Sequence, residues 1–367
     1  MHIGLIIYGS IDTLSGGTLY DRQLVNYLRK QGDNVETISL PWGSYLSHIT
    51  DNLHFRLPTY LDILIEDELT HPSLLFANAQ PHPYPVVSLV HNLHSSEKRP
   101  AWQNTFYRAI ERHYIRSVDG FIFNSQTTRA AVNALADASR RAHSPDKPYV
   151  IATPGGDRLG SLTVEEVRQR AIGSDPLRLL FLANVTPLKG LHVLLEALNH
   201  QDSDFQLDIV GSLDVDHGYA YEMRRYTAAN GLQQNVTFHG VLDGPLLIDK
   251  IKQDHVLVIP SFYEGFGIAY LEGMAFGLPA IGTTAGAIPQ LISEGENGYL
   301  IKPGDSKTLA RHLNELAADR ELLARLSLAA LKYFQSQPTW GQSTEAIRNF
   351  LYQMLEPWKS RSMGQDG

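Results

Sequence analysis

The chain has 367 residues and no cysteine. That excludes disulfides and thiolate metal sites, and it fits the cytoplasm. No apolar run approaches the roughly 18 residues that a membrane-spanning helix needs. The opening Met1-His2-Ile3-Gly4-Leu5-Ile6-Ile7-Tyr8 is too short and uncharged for a secretion signal, and reads as a first strand. Basic charge is in deficit: 31 Lys and Arg against 39 Asp and Glu give a net charge of −8, which argues against generic nucleic-acid binding. There is no repeat of solenoid period and no low-complexity tract. The first strand is not followed by G-x-G-x-x-G, which counts against a nicotinamide dinucleotide site.

What is present is an ordinary soluble composition, 43% hydrophobic and 19% charged, in a chain long enough for two domains. Short apolar runs alternate with amphipathic segments, the pattern of an α/β fold with parallel strands. In the first half, Ile3–Tyr8 is a strand and Val35–Ser39 the next, with a helix between them. Gly16-Gly17 opens that helix, where bare amides can meet a phosphate or sugar; an ordinary pair of loop glycines is the alternative. Residues 41–60 form a longer excursion. The strand Leu61–Ile65 runs into Glu66-Asp67-Glu68, either a place for acceptor hydroxyls or a solvated loop. Pro85–Val90 is a strand ending in His91-Asn92-Leu93-His94. A histidine there suits a sugar-facing hydrogen bond, or simply satisfies a carbonyl. His91 and His94 lack a third ligand, so no metal is expected.

The segment Arg99–Arg116 reads as a helix. Trp102, Phe106, Ile110 and Tyr114 give it an apolar stripe, and Arg108, Arg112 and Arg116 a basic one. It is either a core-packed helix with a solvated face or a surface that meets anionic lipid or a phosphorylated acceptor. A strand over Val118–Asn124, a helix capped by Ser125 and a strand at Tyr149–Ala152 complete the first half. Residues 160–176 are polar and read as a linker. A second α/β series then starts at Leu177. Lys189 follows its first strand at the next helix, where an ammonium can neutralise a diphosphate. Phe205–Val210 ends in Gly211, and Val236–Gly240 ends in His239-Gly240. Asp214-Val215-Asp216 reads as a chance D-x-D in a loop.

The most informative stretch is Ile259 to Ala275. A buried strand, His255–Ile259, stops at Pro260-Ser261. Gly265 and Gly267 allow a tight turn, and a helix begins at Ile268. The helix N-terminus favours an anion above the strand. Glu264 lies in the turn and Glu272 in the helix.

Glu264-Gly265-Phe266-Gly267 followed by Glu272 resembles the E-x7-E signature of retaining glycosyltransferases of family four, the glycosyl transferases group 1. Asn184 to Gly190 resembles the family's G-R-x-x-x-x-K-G segment, with Asn184 in place of the Arg. Residues 297–305 resemble its G-x-L-x-x-P-G-D element. The resemblance implies the GT-B fold: two Rossmann-like domains facing across a cleft. Residues 1–170 would bind the acceptor and 171–338 the nucleotide sugar. A helix over 339–358 would return to the first domain, and 359–367 would be a disordered tail. It implies transfer of a sugar from a nucleotide-diphosphate sugar, UDP- or GDP-linked, with retention and without a metal or other cofactor. His91, Glu264 and Lys189 would be the catalytic group. Gly16, Gly17, Asn184, Gly211, His239, Gly265, Phe266, Ile268 and Glu272 would line the donor site with them, as would Gly267. Glu66, Asp67, Arg108 and Arg112 would lie on the acceptor side. The acceptor would be a sugar, lipid or other hydroxyl compound, with contact at the inner face of a membrane and none with nucleic acid. A nucleotide-sugar epimerase of the same fold and a non-catalytic two-lobed binding protein are the alternatives.

Overall fold

The computed structural model describes all residues except 14, 97–98, 138–146, 174, 200–203 and 364–367, and only the backbone of 359–363. The chain divides into two units. One comprises Met1–Pro154 with the segment from Trp340 on, and the other Gly155–Thr339.

The first unit is built on six parallel strands: β1 (His2–Tyr8), β2 (Asn34–Leu40), β3 (Ile63–Asp67), β4 (Val86–Val90), β5 (Gly120–Phe123) and β6 (Tyr149–Ile151). Their order is β2-β1-β3-β4-β5-β6. Residues 63–67 and 86–90 are buried throughout, as expected where helices cover both faces of a parallel sheet. The helix Gly16–Lys30 begins with a capping box between Ser15 and Thr18, and buries Tyr20, Asp21, Leu24, Val25 and Leu28. The helix Trp340–Met363 closes this unit. Trp340 lies edge-on to Tyr20 at 5.4 Å, and Arg348 Nε donates to Asp33 Oδ2 at 2.6 Å. Asp33 also accepts from the N-terminal ammonium at 2.9 Å, which ties the first and last elements together.

The second unit has its own parallel sheet: β7 (Leu177–Leu182), β8 (Phe205–Val210), β9 (Val236–Gly240), β10 (Val256–Val258), β11 (Ala280–Thr283) and β12 (Gly298–Ile301). The order β9-β8-β7-β10-β11-β12 is that of a doubly wound nucleotide-binding sheet. Two α/β units, each with its own six-stranded sheet, agree with the fold class expected from the sequence.

Three details differ from the sequence reading. Residues 160–176 are not a linker: Thr163 and Glu166 form a capping box, and the helix Val164–Ile172 buries Val167 and Ala171 against the helix Arg320–Gln335. Its membership of the second unit puts the division after Pro154 rather than at 170. The third strand starts and ends two residues later than expected, so Glu66 and Asp67 are strand residues and buried. The last helix continues through Pro357 to Met363. Proline's fixed φ is helical, and its lost N–H costs one bond near a helix end. The expected tail therefore reduces to 364–367, outside the described residues.

Candidate active site

In a doubly wound sheet, ligands bind beyond the strand C-termini where the strand order reverses. In the second unit that point lies between β7 and β10, the strands that precede Lys189 and Glu264. Lys189 Nζ donates to both oxygens of Glu264, at 2.8 and 2.9 Å, and Ser261 Oγ donates to Glu264 Oε1 at 2.6 Å. The Glu264 turn is held on every side. Phe262 N donates to Leu188 O at 2.8 Å, Tyr270 Oη to Ile259 O at 2.7 Å, Thr283 Oγ1 to Ser261 O at 2.7 Å, and Ala287 N to Glu264 O at 2.9 Å. Gly190 has φ +73°, and a Cβ there would stand 2.1 Å from Pro260 O. Only glycine lets the β7 and β10 loops approach so closely.

Gly267, with φ +98°, begins the helix Ile268–Ala275, and no side chain among the described residues caps it. Phe266 and Ile268 are buried beside it. Within this helix Glu272 is buried, and Arg158 Nε donates to its Oε1 at 2.8 Å. Burial raises the Glu272 pKa, and Arg158 opposes the rise. Arg158 reaches it from the turn Asp157–Leu159, which is pressed onto the helix: a Cβ on Gly156 would lie within 3 Å of the Leu271 backbone.

The first unit repeats this logic at the reversal between β1 and β3. Asp67 ends β3, His91 follows β4, and Gly16 and Gly17 begin the helix after β1. His91 Nε2 bonds Asp21 Oδ1 at 2.9 Å, and Asn124 Nδ2 donates to His91 O at 2.9 Å. A Cβ on Gly17 would lie 3.4 Å from His91 Cδ2, so the glycine sits against the imidazole. Tyr20 packs edge-on to the same ring at 5.2 Å. One donor atom each of Asp21, Asp67 and His91 lies within 4.8 Å of the others. Burial, with the charge of Asp21, pushes Asp67 up to about 7.

The other expected site residues are each held by contacts of their own. Glu66 has no exposed surface; it accepts from Asn78 Nδ2 at 2.9 Å, and burial pushes its pKa up to about 7. Neighbouring strand residues point to opposite faces, so it does not share the His91 site with Asp67. His239 bonds Asp208 Oδ1 at 2.6 Å, and Lys250 bonds the same carboxylate at 3.1 Å. Its imidazole is thus drawn back along the sheet, not out beyond the strand end. Asn184 Oδ1 accepts from Ser212 N at 3.1 Å, and a Cβ on Gly211 would stand 2.0 Å from Ala183 O. These two residues join the loops after β7 and β8. Asp216 caps the helix His217–Ala229 through Tyr219 N, which accounts for the D-x-D. His94 stacks on Tyr45, in a separate aromatic cluster with Tyr107.

Arg112 donates to Leu135 O at 3.1 Å, whereas Arg108 is exposed. Both lie on the helix Ala101–Ser117, whose apolar stripe is not all core. Tyr114 is buried, but Trp102 is 72% and Phe106 41% exposed. Steps of four residues turn about 40° each around a helix, so three steps carry the stripe from the sheet to solvent.

The sequence reading did not single out Asp21 or Arg158. Asp21 lies one turn beyond Gly17, on the same helix face. Arg158 directly follows the Gly155-Gly156-Asp157 turn. Those positions are the only local signals.

The fold is that of two-domain glycosyltransferases. Sucrose-phosphate synthase from Thermosynechococcus elongatus matches it with a TM-score of 0.77 at 19% identity, over 96% of this chain and 98% of that one. HepE from Anabaena, solved with UDP and glucose, matches with a TM-score of 0.74 at 17% identity, over 96% and 99%. In sequence, residues 164–333, nearly all of the second unit, match the model of the Glycosyl transferases group 1 family. A D-inositol 3-phosphate glycosyltransferase of Paenarthrobacter aurescens is 27% identical over 290 residues, 74% of this chain and 69% of that protein.

Proposed function

We propose that this protein is a retaining glycosyltransferase that moves a sugar from a nucleotide-diphosphate sugar to an acceptor hydroxyl without a bound metal. The observation that carries the reading is the Lys189–Glu264 pair at the reversal point of a nucleotide-binding sheet. A departing diphosphate gains negative charge, and an ammonium held beside it stabilises that charge in place of a metal ion. Donor binding exchanges partners: sugar hydroxyls take over Glu264, and Lys189 turns to the diphosphate. The uncapped helix at Gly267 offers its positive end to the same anion. Glu272, fixed by Arg158, accepts the ribose hydroxyls. UDP in the HepE structure supports a UDP-linked donor.

The test is proton NMR of the reaction with α-linked donors. The α product forming first, unaffected by EDTA, is the expected result. A β product contradicts retention. An isomerised donor formed without acceptor identifies an epimerase instead.

The first unit is assigned the acceptor, and its exposed Trp102 and Phe106 suit a membrane interface. Glu111 is the one acidic residue of their helix and is buried, so the exposed charges on that helix are basic. No helix among the described residues is long and apolar enough to cross a membrane. The protein is therefore expected to sediment with vesicles containing phosphatidylglycerol but not with pure phosphatidylcholine. Trp102→Ser combined with Arg108→Glu is expected to abolish that binding. Equal sedimentation with both lipids, or no effect of the double variant, contradicts the assignment.

A further inference from the structure

We infer that Asp21 is a positioning residue for His91: its carboxylate accepts from Nε2 and fixes the imidazole's orientation, so that Nδ1 is the ring nitrogen left for a sugar hydroxyl. This rests on the reading of His91 as a sugar-facing group.

Burial separates the roles. Asp21 has no exposed surface, whereas the His91 side chain keeps 11% of its own. No ligand reaches Asp21 directly; it acts through the ring it holds at 2.9 Å. A carboxylate only accepts, so Nε2 must carry the proton that joins them. In neutral imidazole Nδ1 would then be an acceptor alone, and in imidazolium it is a donor. The charge on the ring thus decides what Nδ1 can bind.

The surroundings favour the charge. Asp21 comes from the helix after β1, and Asp67 from the end of β3. Tyr20 packs perpendicular to the ring, with its hydroxyl donated to Ala152 O at 2.6 Å. The fixed Asn124 contact is to the backbone and carries no charge. Burial alone would lower the His91 pKa. The charge and hydrogen bond of Asp21, with the charge of Asp67, outweigh it and raise the pKa above the ordinary value. Asp21 Oδ2 has no hydrogen-bond partner among the described residues, so this carboxylate is committed to the imidazole and not to a wider network. A raised histidine pKa means that the charged form, with its stabilising bond, is complete at low pH and lost as pH rises through the folded value.

The test reads His91 directly and needs no knowledge of donor or acceptor. Ring ¹⁵N NMR gives its titration midpoint and tautomer in the full-length protein. Wild type is expected to titrate above about 6.5, the ordinary histidine value. In Asp21→Asn the midpoint falls by about one unit, a tenfold loss of proton affinity, and the preference for protonated Nε2 weakens. Asp21→Ser gives the same fall should Asp21→Asn not fold. In turnover, the alkaline limb of kcat/KM moves to lower pH in these variants, a change that a merely structural role would not cause. An unchanged midpoint overturns the inference. So does displacement of the His91 signals by Mg²⁺ or Mn²⁺ with turnover abolished by chelation, which assigns the three groups to an ion. Should the midpoint fall as expected while His91→Ala turns over normally, Asp21 holds His91 but the sugar-facing reading fails.

Discussion

Lys189→Met is expected to lower kcat with a nucleotide-sugar donor by a factor of about 10²–10³, while the protein stays folded. The ammonium is the group within reach of both Glu264 and a diphosphate above the β7 and β10 ends. Methionine keeps the chain length and apolar stem but not the charge. Glu264 retains Ser261 as a partner, and Lys189 is partly exposed, so the loss of stability is small, about 1–2 kcal/mol. Glu264→Gln is the complementary variant. It keeps an acceptor oxygen but releases Lys189, so turnover falls again while diphosphate alone binds as well as before or more tightly. Lys189→Arg does not restore wild-type turnover, because a planar guanidinium cannot occupy the point position of an ammonium. Steady-state kinetics beside thermal unfolding checks all three. Turnover of Lys189→Met within twofold of wild type removes this residue from the mechanism.

Gly286→Ala is expected to cost about 3 kcal/mol or more in folding stability and to lose donor binding with it. Its φ is +68°, and a Cβ would stand 2.0 Å from Glu264 O and 2.8 Å from Glu264 N. The loop after β11 is laid against the backbone of the Glu264 turn, and Ala287 N donates to Glu264 O in the same contact. Neither side can yield without moving Glu264 off Lys189. Gly295 makes the control: it also has positive φ, but a methyl there would meet no described atom within 4 Å. Gly295→Ala should therefore show only the backbone strain of about 1 kcal/mol. Denaturant unfolding distinguishes the two. Equal losses at both positions contradict the close-approach argument.

Much of this was legible in the chain because parallel strands buried on both faces leave continuous apolar runs. The His255–Ile259 run, its Gly-rich turn and the following helix stand out for that reason, and so does His91 after Val90. Other features depend on tertiary pairing. Asp21 meets His91 across 70 residues of sequence, and Arg158 meets Glu272 across 114. No local pattern records either. The helix Val164–Ile172 was hidden because it is mostly polar and buries few residues. The exposed end of the Trp102 stripe was hidden because helical spacing shows that residues share a side, not what lies over it. His239 followed the pattern of a strand-end ligand, but Asp208 draws its side chain away.

The second unit is proposed to take a nucleotide-diphosphate sugar at Lys189 and Glu264. Thermal stabilisation by UDP-, GDP-, ADP- and dTDP-sugars and by NAD, in wild type and Lys189→Met, tests it most directly. A ligand that binds only the native state raises the midpoint. The expected result is a rise with one nucleotide-sugar class, none with NAD, and a much smaller rise in Lys189→Met. A rise with NAD alone, or an equal rise in both proteins, would contradict it.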